Sequence, residues 1–463
     1  MELTSESQVT FQDFPAEILE IIFVCTLPDD VLDQKQPNTK IAPMLLCHIC
    51  SQWRSIALQL PRLWMCLYHF VRISPCMSYG SVVPLNKRIH PNVIEFLQWW
   101  WRNLSINLPF HFRCDGIFEE SYVHPDVEDE FPDKEHILFT LFDLAQHLDI
   151  DGNILHIIPD IRPKLTLANL ETLRIRNASI VSGLPFLLRD EHRIRKLHIR
   201  SYAIWEFFKK PVTWWSSLTH LVFDAAYISS GMWFNIIRAC VNLQFGYFDI
   251  RISGPSDDPF FANPPYFTHH HLRQLVVGWN GEFGCITSKY MLKNLFLPAL
   301  TAFRISARLT TEDLHRVLES TPSLLELHLG REVAQHNIWY RLYGSEEQCC
   351  PEPLSKYVPN LQHLLIQTHL YTTYNCGMRV YINNLFSSRW LQLGRPTNNV
   401  RSLVIQALGG AFRWEMDEWL AEHPIHGIKV AFAPKDKPLP WATSTSVEKN
   451  AAKYFDEPHF CTG

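Results

Sequence analysis

A six-residue frame, apolar–x–x–apolar–x–apolar, keeps returning along the chain. It reads LETLRI at 170–175, IRKLHI at 194–199, LTHLVF at 218–223 and LRQLVV at 272–277. It continues as LTAFRI at 300–305, LLELHL at 324–329, LQHLLI at 361–366 and VRSLVI at 400–405, with a degraded copy, LQFGYF, at 243–248. Successive starts lie 24, 24, 25, 29, 28, 24, 37 and 39 residues apart, and WRNLSI (101–106) has the same outline upstream. Apolar fourth and sixth positions fall on one side of an extended chain, so each frame predicts a strand with one buried face. Helices are predicted between copies. TTEDLHRVLES (310–320) has Thr310 as cap, Asp313 three later, and Leu314, Val317 and Leu318 on one face. SSGMWFNIIRAC (229–240) aligns Trp233, Ile236, Ile237 and Cys240.

The N-terminal pattern has a helical period instead. FPAEILEIIF (14–23) puts Pro15 at a helix entry and Ile18, Leu19, Ile22 and Phe23 at helical spacing. From 44 to 60, Leu46, Ile49, Cys50, Trp53, Ile56, Ala57 and Leu60 mark one face of a second helix that ends at Pro61. Leu63 and Trp64 then form an apolar plug. The polar stretch LPDDVLDQKQPNTK (27–40) reads as a loop, so 11–66 is a small helical module. Its CHIC sequence (47–50) has no second CxxC to complete a tetrahedral zinc site and no preceding strand for a redox motif. Cys50 is expected to act as a small hydrophobe on the apolar face.

Composition narrows the function classes. The chain has 463 residues, 47% hydrophobic and 19% charged, with a net charge of −5, so nothing global points to nucleic acid. No apolar run reaches the roughly 18 residues that span a bilayer. The polar, acidic start MELTSESQVTFQDF does not resemble a signal peptide, so the expected location is cytoplasm or nucleus. Twelve scattered cysteines fit free thiols in a reducing compartment. There is no GxxxxGK, HExxH or GxSxG, only 18 glycines, and no assignable nucleophile–base pair. The expectation is a non-enzyme without cofactor or metal. HHH (269–271), just before a frame, is read as a cap or loop element, and WWW (99–101) as packing.

The order F-P-x-E-I-L-x-x-I-F, then A-P-x-L-L-C-x-I-C-x-x-W-R-x-I-A, then L-P-R-L-W resembles an F-box of the large fungal type over residues 11–66. Phe14 stands where leucine is usual, and the 28–40 loop is longer than in compact F-boxes. The resemblance implies docking on a Skp-type adaptor and, through it, a cullin. By matching positions the docking candidates are Phe14, Pro15, Ile18, Leu19, Ile22, Cys50, Trp53, Leu63 and Trp64. The later frames, at 24–29 residues per strand plus helix, resemble degenerate leucine-rich repeats without an asparagine ladder. The expected fold is therefore α/β: an all-helical F-box module followed by an irregular solenoid of parallel strands backed by helices.

The expected division is a disordered 1–10, an F-box at 11–66, and a linker or solenoid start at 67–150 carrying an acidic loop at 115–136. A repeat solenoid at 151–433 and a tail at 434–463 complete it. Insertions fall at 331–357 and 371–395. The third, fifth and seventh frame positions point away from the core, which in a solenoid is the ligand-facing side. There the first rows are basic, with Arg174, Arg176, Lys196, His198 and Arg200, followed by His220, Phe245 and Tyr247. This suggests a target protein with an acidic or phosphorylated group. The implied role is the substrate-recognition subunit of a ubiquitin ligase. A repeat scaffold whose F-box-like helices only cap the first repeat is the alternative.

Overall fold

The computed structural model describes residues 14–27, 39–73, 91–103, 109–118, 140–152, 167–178, 193–201, 213–228, 230–252, 266–278, 292, 294–306, 311–330, 354–368, 399–407, 421 and 429–434. The expected disordered start (1–10), the body of the acidic loop (119–136), the insertions 331–353 and 371–395 and the tail from 435 lie outside them. The chain divides into two compact units, the first ending at Ile194 and the second beginning at Arg195.

Unit 1 begins with helices α1 (Ala16–Cys25), α2 (Met44–Ile49) and α3 (Ser51–Gln59), and a 3-10 turn, Pro61–Trp64. Strand β1 (Cys66–Ile73), helix α4 (Pro91–Asn103) and strands β2 (His111–Phe118), β3 (His147–Asp151) and β4 (Thr172–Ala178) follow. The strands pair in parallel in chain order, with Cys66, His111, His147 and Thr172 in one column. The ladder thus starts about a hundred residues before the first clear frame. Within 101–106, residues 101–103 belong to α4, so WRNLSI does not begin as a strand. Asp115, expected in a loop, lies in β2.

Unit 2 contains β5 (Lys196–Ser201), β6 (His220–Ile228), α5 (Ser230–Ala239), β7 (Phe245–Ile252), β8 (Phe267–Thr268), β9 (Gln274–Gly278) and β10 (Leu295–Phe296). It continues with β11 (Ala302–Ile305), α6 (Thr311–Glu319), β12 (Glu326–Leu329), α7 (Leu354–Tyr357), β13 (His363–Thr368), β14 (Ser402–Ala407) and β15 (Lys429–Pro434). Strands β5, β6, β7, β9, β11, β12, β13, β14 and β15 form a parallel ladder in that order, while β8 and β10 pair separately. The α/β reading and the stacked, chain-order parallel strands agree with the frame analysis.

Each frame is built the same way. The first position is sealed: Leu218, Leu243, Leu272, Leu300 and Leu324 are fully buried. Most frames are entered by a turn in which the first N–H donates to the carbonyl three residues back, as from Leu218 to Trp215 and Leu361 to Val358. The second-position carbonyl then accepts two N–H groups of the next repeat. Thr219 O takes those of Gln244 (2.9 Å) and Phe245 (3.0 Å), and Gln362 O takes those of Arg401 (2.8 Å) and Ser402 (3.0 Å). Fourth and sixth positions form the core, from Leu197 and Ile199 to Leu403 and Ile405. The degraded copy is explained by its neighbour: a Cβ at Gly246 would meet the Phe248 ring at 2.7 Å, and that ring packs edge-on against Trp233 and Phe223.

An asparagine ladder does exist, one residue before the frame. Asn169, Asn242, Asn360 and Asn399 each donate a side-chain amide to a backbone carbonyl near the preceding repeat, of Asp143 (3.3 Å), Ser216 (2.7 Å), Pro322 (3.1 Å) and Pro359 (2.6 Å). These bonds satisfy turn carbonyls that no strand partner reaches. Thr219 and Thr301 supplement them from the second position by donating to Arg195 O and Arg273 O.

Candidate functional site

The sequence-derived candidates lie on the N-terminal helices of unit 1 and on the strand face opposite the core in each unit. On the N-terminal helices, α1 has two apolar stripes rather than one. Leu19 and Phe23 are fully buried, and Phe23 packs on Trp53 at 4.9 Å between ring centroids. Ile18, Ile21, Ile22 and Cys25 follow an i, i+3, i+4, i+7 spacing on another side of the helix. Ile18 is 41% and Ile21 62% exposed. A short helix with apolar residues on both sides has closed its own core and still presents hydrocarbon to water. Helix α2 repeats this at smaller scale, with Leu46 and Cys47 buried and Leu45 and Ile49 exposed. Eight large apolar side chains are exposed among the described residues, and five of them (Phe14, Ile18, Ile21, Leu45 and Ile49) lie on this module.

The docking candidates therefore separate. Phe14, Pro15 and Ile18 are exposed, and Ile22, Cys50 and Trp53 are partly so. Leu19, Leu63 and Trp64 are core residues: Trp64 is fully buried, donates from Nε1 to Ala57 O at 2.9 Å, and meets Trp99 and Trp100 edge-on. Trp100 in turn donates to Trp64 O at 3.0 Å, which accounts for WWW as packing. Ile21, Leu45 and Ile49 complete the exposed set: the F-box positions name only Ile18 and Ile22 of the outer stripe, and Ile49 falls on the face expected to be the second helix's core side. The signal was there in an α1 segment, EILEIIF, with too many apolar residues for one face.

The expected single helix through CHIC is two. Cys50 is extended (φ −154°, ψ 173°) and caps α3, its Sγ accepting the Trp53 N–H at 3.4 Å. The thiol thereby satisfies one of the N–H groups that the start of α3 leaves without an intrahelical partner. Cys47 is the buried member, its thiol pushed up by burial. His269 of HHH is a buried cap: its Nδ1 accepts the Leu272 N–H at 3.1 Å and its Nε2 faces Cys240 O at 2.9 Å.

The strand face opposite the core holds the second set. In unit 1 it is a closed charge network. Arg176 Nε bonds Asp149 at 2.6 Å and its other end pairs with Asp115. Arg113 reaches Asp115 (3.5 Å) and Asp149 (3.9 Å), and Arg174 reaches Asp149 (3.9 Å). Tyr68 donates to Asp115 at 2.6 Å and carries the Arg113 guanidinium on its ring face at 4.3 Å. Burial works against the Arg176 charge, but Asp149 and Asp115 more than offset it and raise its pKa. Arg174 and Arg176 are thus paired inside the unit, with acids on β2 and β3 that the frames do not include. In unit 2, Lys196 and His220 are half-buried, His198 is buried, and Arg200 lies 3.7 Å from Asp224. Phe245 and Tyr247 are buried with Val222 and Val276 in one apolar cluster.

No known protein family and no curated protein matches the chain. Among the described residues no group of three or more His, Cys, Asp and Glu is placed to hold a metal ion, and no helix is long and apolar enough to cross a membrane.

Proposed function

We propose that the protein is the substrate-recognition subunit of a Skp–cullin–F-box ubiquitin ligase, acting in the cytoplasm or nucleus. The observation that carries this reading is the concentration of exposed large apolar side chains on α1 and α2, in a module whose own core is already filled. The F-box resemblance of residues 11–66 says what such a surface is for: a Skp-type adaptor that brings the cullin. The repeat ladder, of leucine-rich-repeat type in this reading, then holds a target protein. The mechanism is proximity, which raises the effective concentration of target lysines at the ligase centre without bond chemistry by this chain.

A repeat scaffold capped by these helices is the second reading. The Trp64–Trp99–Trp100 packing that joins the module to α4 favours it. A cap accounts for the buried Leu63 and Trp64 but leaves Ile18, Ile21, Leu45 and Ile49 without a use. Capture on immobilised Skp adaptor separates the two. Each buried isoleucine contributes about 1.5–3 kcal/mol, so Ile18→Asp with Ile21→Asp should weaken capture at least about 100-fold while circular dichroism stays unchanged. Absence of capture by folded wild-type protein would refute the ligase reading and leave the scaffold.

A further inference from the structure

In unit 2 a second surface lies along the edge where the frames are entered, beside the strand face. Arg195, Thr219, Gln244 and Arg273 hold the second position of the frames that form β5, β6, β7 and β9. An unbroken row of backbone bonds ties them together. The Thr219 N–H donates to Arg195 O (2.8 Å), that of Gln244 to Thr219 O (2.9 Å) and that of Arg273 to Gln244 O (2.8 Å). The row runs on into Thr301, whose N–H donates to Arg273 O at 2.8 Å. Arg195, Gln244 and Arg273 are exposed, and Thr219 and Thr301 are partly so. None of the five is acidic, and neither arginine takes part in an ion pair among the described residues. In this they differ from Arg174 and Arg176, whose charges are met by Asp149 and Asp115.

The turns that lead into the last two columns widen this surface. Val241 and Asn242 precede the Gln244 column, and His270 and His271 precede the Arg273 column; all four are exposed. The buried His269 ring fastens the two turns to each other, its Nε2 standing 2.9 Å from Cys240 O. Val241 is 45% exposed, one of only two exposed large apolar side chains among the described residues of unit 2. The edge therefore offers two open guanidinium groups, two imidazoles and one apolar side chain, all carried on hydrogen-bonded turns.

We propose that this edge docks an extended, carboxylate-rich segment of a protein partner, with one acid on Arg273, a second on Arg195 and an apolar side chain on Val241 in the column between them. Three strand spacings, about 14 Å, separate the two arginine columns, and an extended peptide covers about that distance in four residues. Acids four residues apart thus meet both arginines at once, each through the planar fork that suits a carboxylate. A nucleic acid carries a charge about every 3.4 Å along each strand, far more closely than these two arginines are set. That the partner is a ligase target rests on the proposed function; the binding chemistry does not.

The test titrates the full-length protein at low salt, by ligand-observed NMR, with the blocked peptide Ac-GEGLGEG-NH2, whose glutamates are four residues apart. It should bind, whereas Ac-GQGLGQG-NH2 and Ac-GKGLGKG-NH2 should not, and Ac-GGGLEEG-NH2, with adjacent glutamates, should bind more weakly. Arg273→Gln and Arg195→Gln should each weaken binding of the first peptide about two- to fivefold, as expected for an exposed ion pair, and the double substitution should abolish it. No binding to folded protein, equal binding of the glutamine peptide, equal binding of the adjacent-glutamate peptide or unchanged affinity in both arginine variants would overturn the proposal. So would tighter binding of an eight-nucleotide oligothymidylate that displaces the peptide. Adaptor capture on the same preparations should survive both arginine substitutions, and peptide binding should survive Ile18→Asp with Ile21→Asp, so the failure of one reading is not mistaken for the failure of the other.

Discussion

On β1–β4 the strand face opposite the core is made of Tyr68, Arg113, Asp115, Asp149, Arg174 and Arg176, joined by hydrogen bonds and ion pairs. On β6, β7 and β9 the corresponding positions of unit 2 are Val222, Phe245, Tyr247 and Val276, and they are joined by contact alone. The registers show the two rows to be built alike. Parallel strands stack like positions in columns about 4.8 Å apart, so a column of one charge would repel itself. Unit 1 alternates sign, with Arg113 beside Asp149 and Asp149 beside Arg174. Unit 2 fills these positions on β6, β7 and β9 with uncharged side chains, and its Arg200–Asp224 pair lies in the next row. The first solution fixes geometry through directional bonds and depends on every member; the second is non-directional and tolerates changes of similar volume.

The sharpest way to break this comparison is Asp149→Asn. It removes the carboxylate on which Arg113, Arg174 and Arg176 converge and leaves buried positive charge uncompensated, at a cost of about 3–5 kcal/mol. Denaturant unfolding should show the loss, and a double substitution with Arg176→Met should recover part of it. If single and double variants were equally unstable, the network would not be coupled.

Phe245→Ala acts on the other solution. Deleting a buried aromatic from the Val222–Tyr247–Val276 cluster should cost about 3 kcal/mol. The loss should be the same at low and high salt, and Phe245→Leu should recover most of it. A strong dependence on salt would mean that the cluster is held by its charged flanks instead.

Acid compares the two faces within one protein. The pKa of His111 in unit 1 is lowered to about 4 by burial and then by Arg174 and Arg113. That of His220 in unit 2 is lowered to about 4 by burial and then by Lys196. The unfolded chain, titrating near 6.5, binds more protons in this range. The stability tied to the neutral rings is complete above about pH 6.5 and is lost as pH falls toward and through about 4. The expected loss is on the order of 1 kcal/mol or more per histidine, and His220→Gln should flatten its share of the profile. A profile unchanged in both His111→Gln and His220→Gln would show that these rings do not govern the acid response.

How far the sequence disclosed this depended on what sits at the first frame position. Leu170, Leu218 and Leu300 announce their strands, and the helices over 230–239 and 311–319 follow from their own apolar faces. The three earlier strands were hidden because Trp64, Pro109 and Ala145 occupy the position that leucine holds later, as the registers show. Missing those strands meant missing Asp115 and Asp149, and with them the partners of Arg174 and Arg176. A column of arginines looks like an anion receptor until the neighbouring column is known. On α1 the difficulty was different: Leu19 and Ile18 are chemically alike, and only packing decides which faces water.

The smallest effects come from the asparagine turns, a feature both units share at equal positions. Asn242 and Asn399 make short bonds, 2.7 and 2.6 Å, to Ser216 O and Pro359 O in unit 2, whereas Asn169 reaches Asp143 O in unit 1 only at 3.3 Å. All three bonds lie at exposed turns, where water competes for both partners. Asn242→Ala and Asn399→Ala should each cost about 0.5–1 kcal/mol, and Asn169→Ala less than about 0.5 kcal/mol. Amide exchange would report the same order locally, rising more at the turns before β7 and β14 than at the one before β4. If Asn169→Ala proved as costly as the others, bond length at these turns would not set the contribution, and the turn in unit 1 would be held by the second bond it receives, from Leu167 N–H to the Asp143 carboxylate at 2.8 Å.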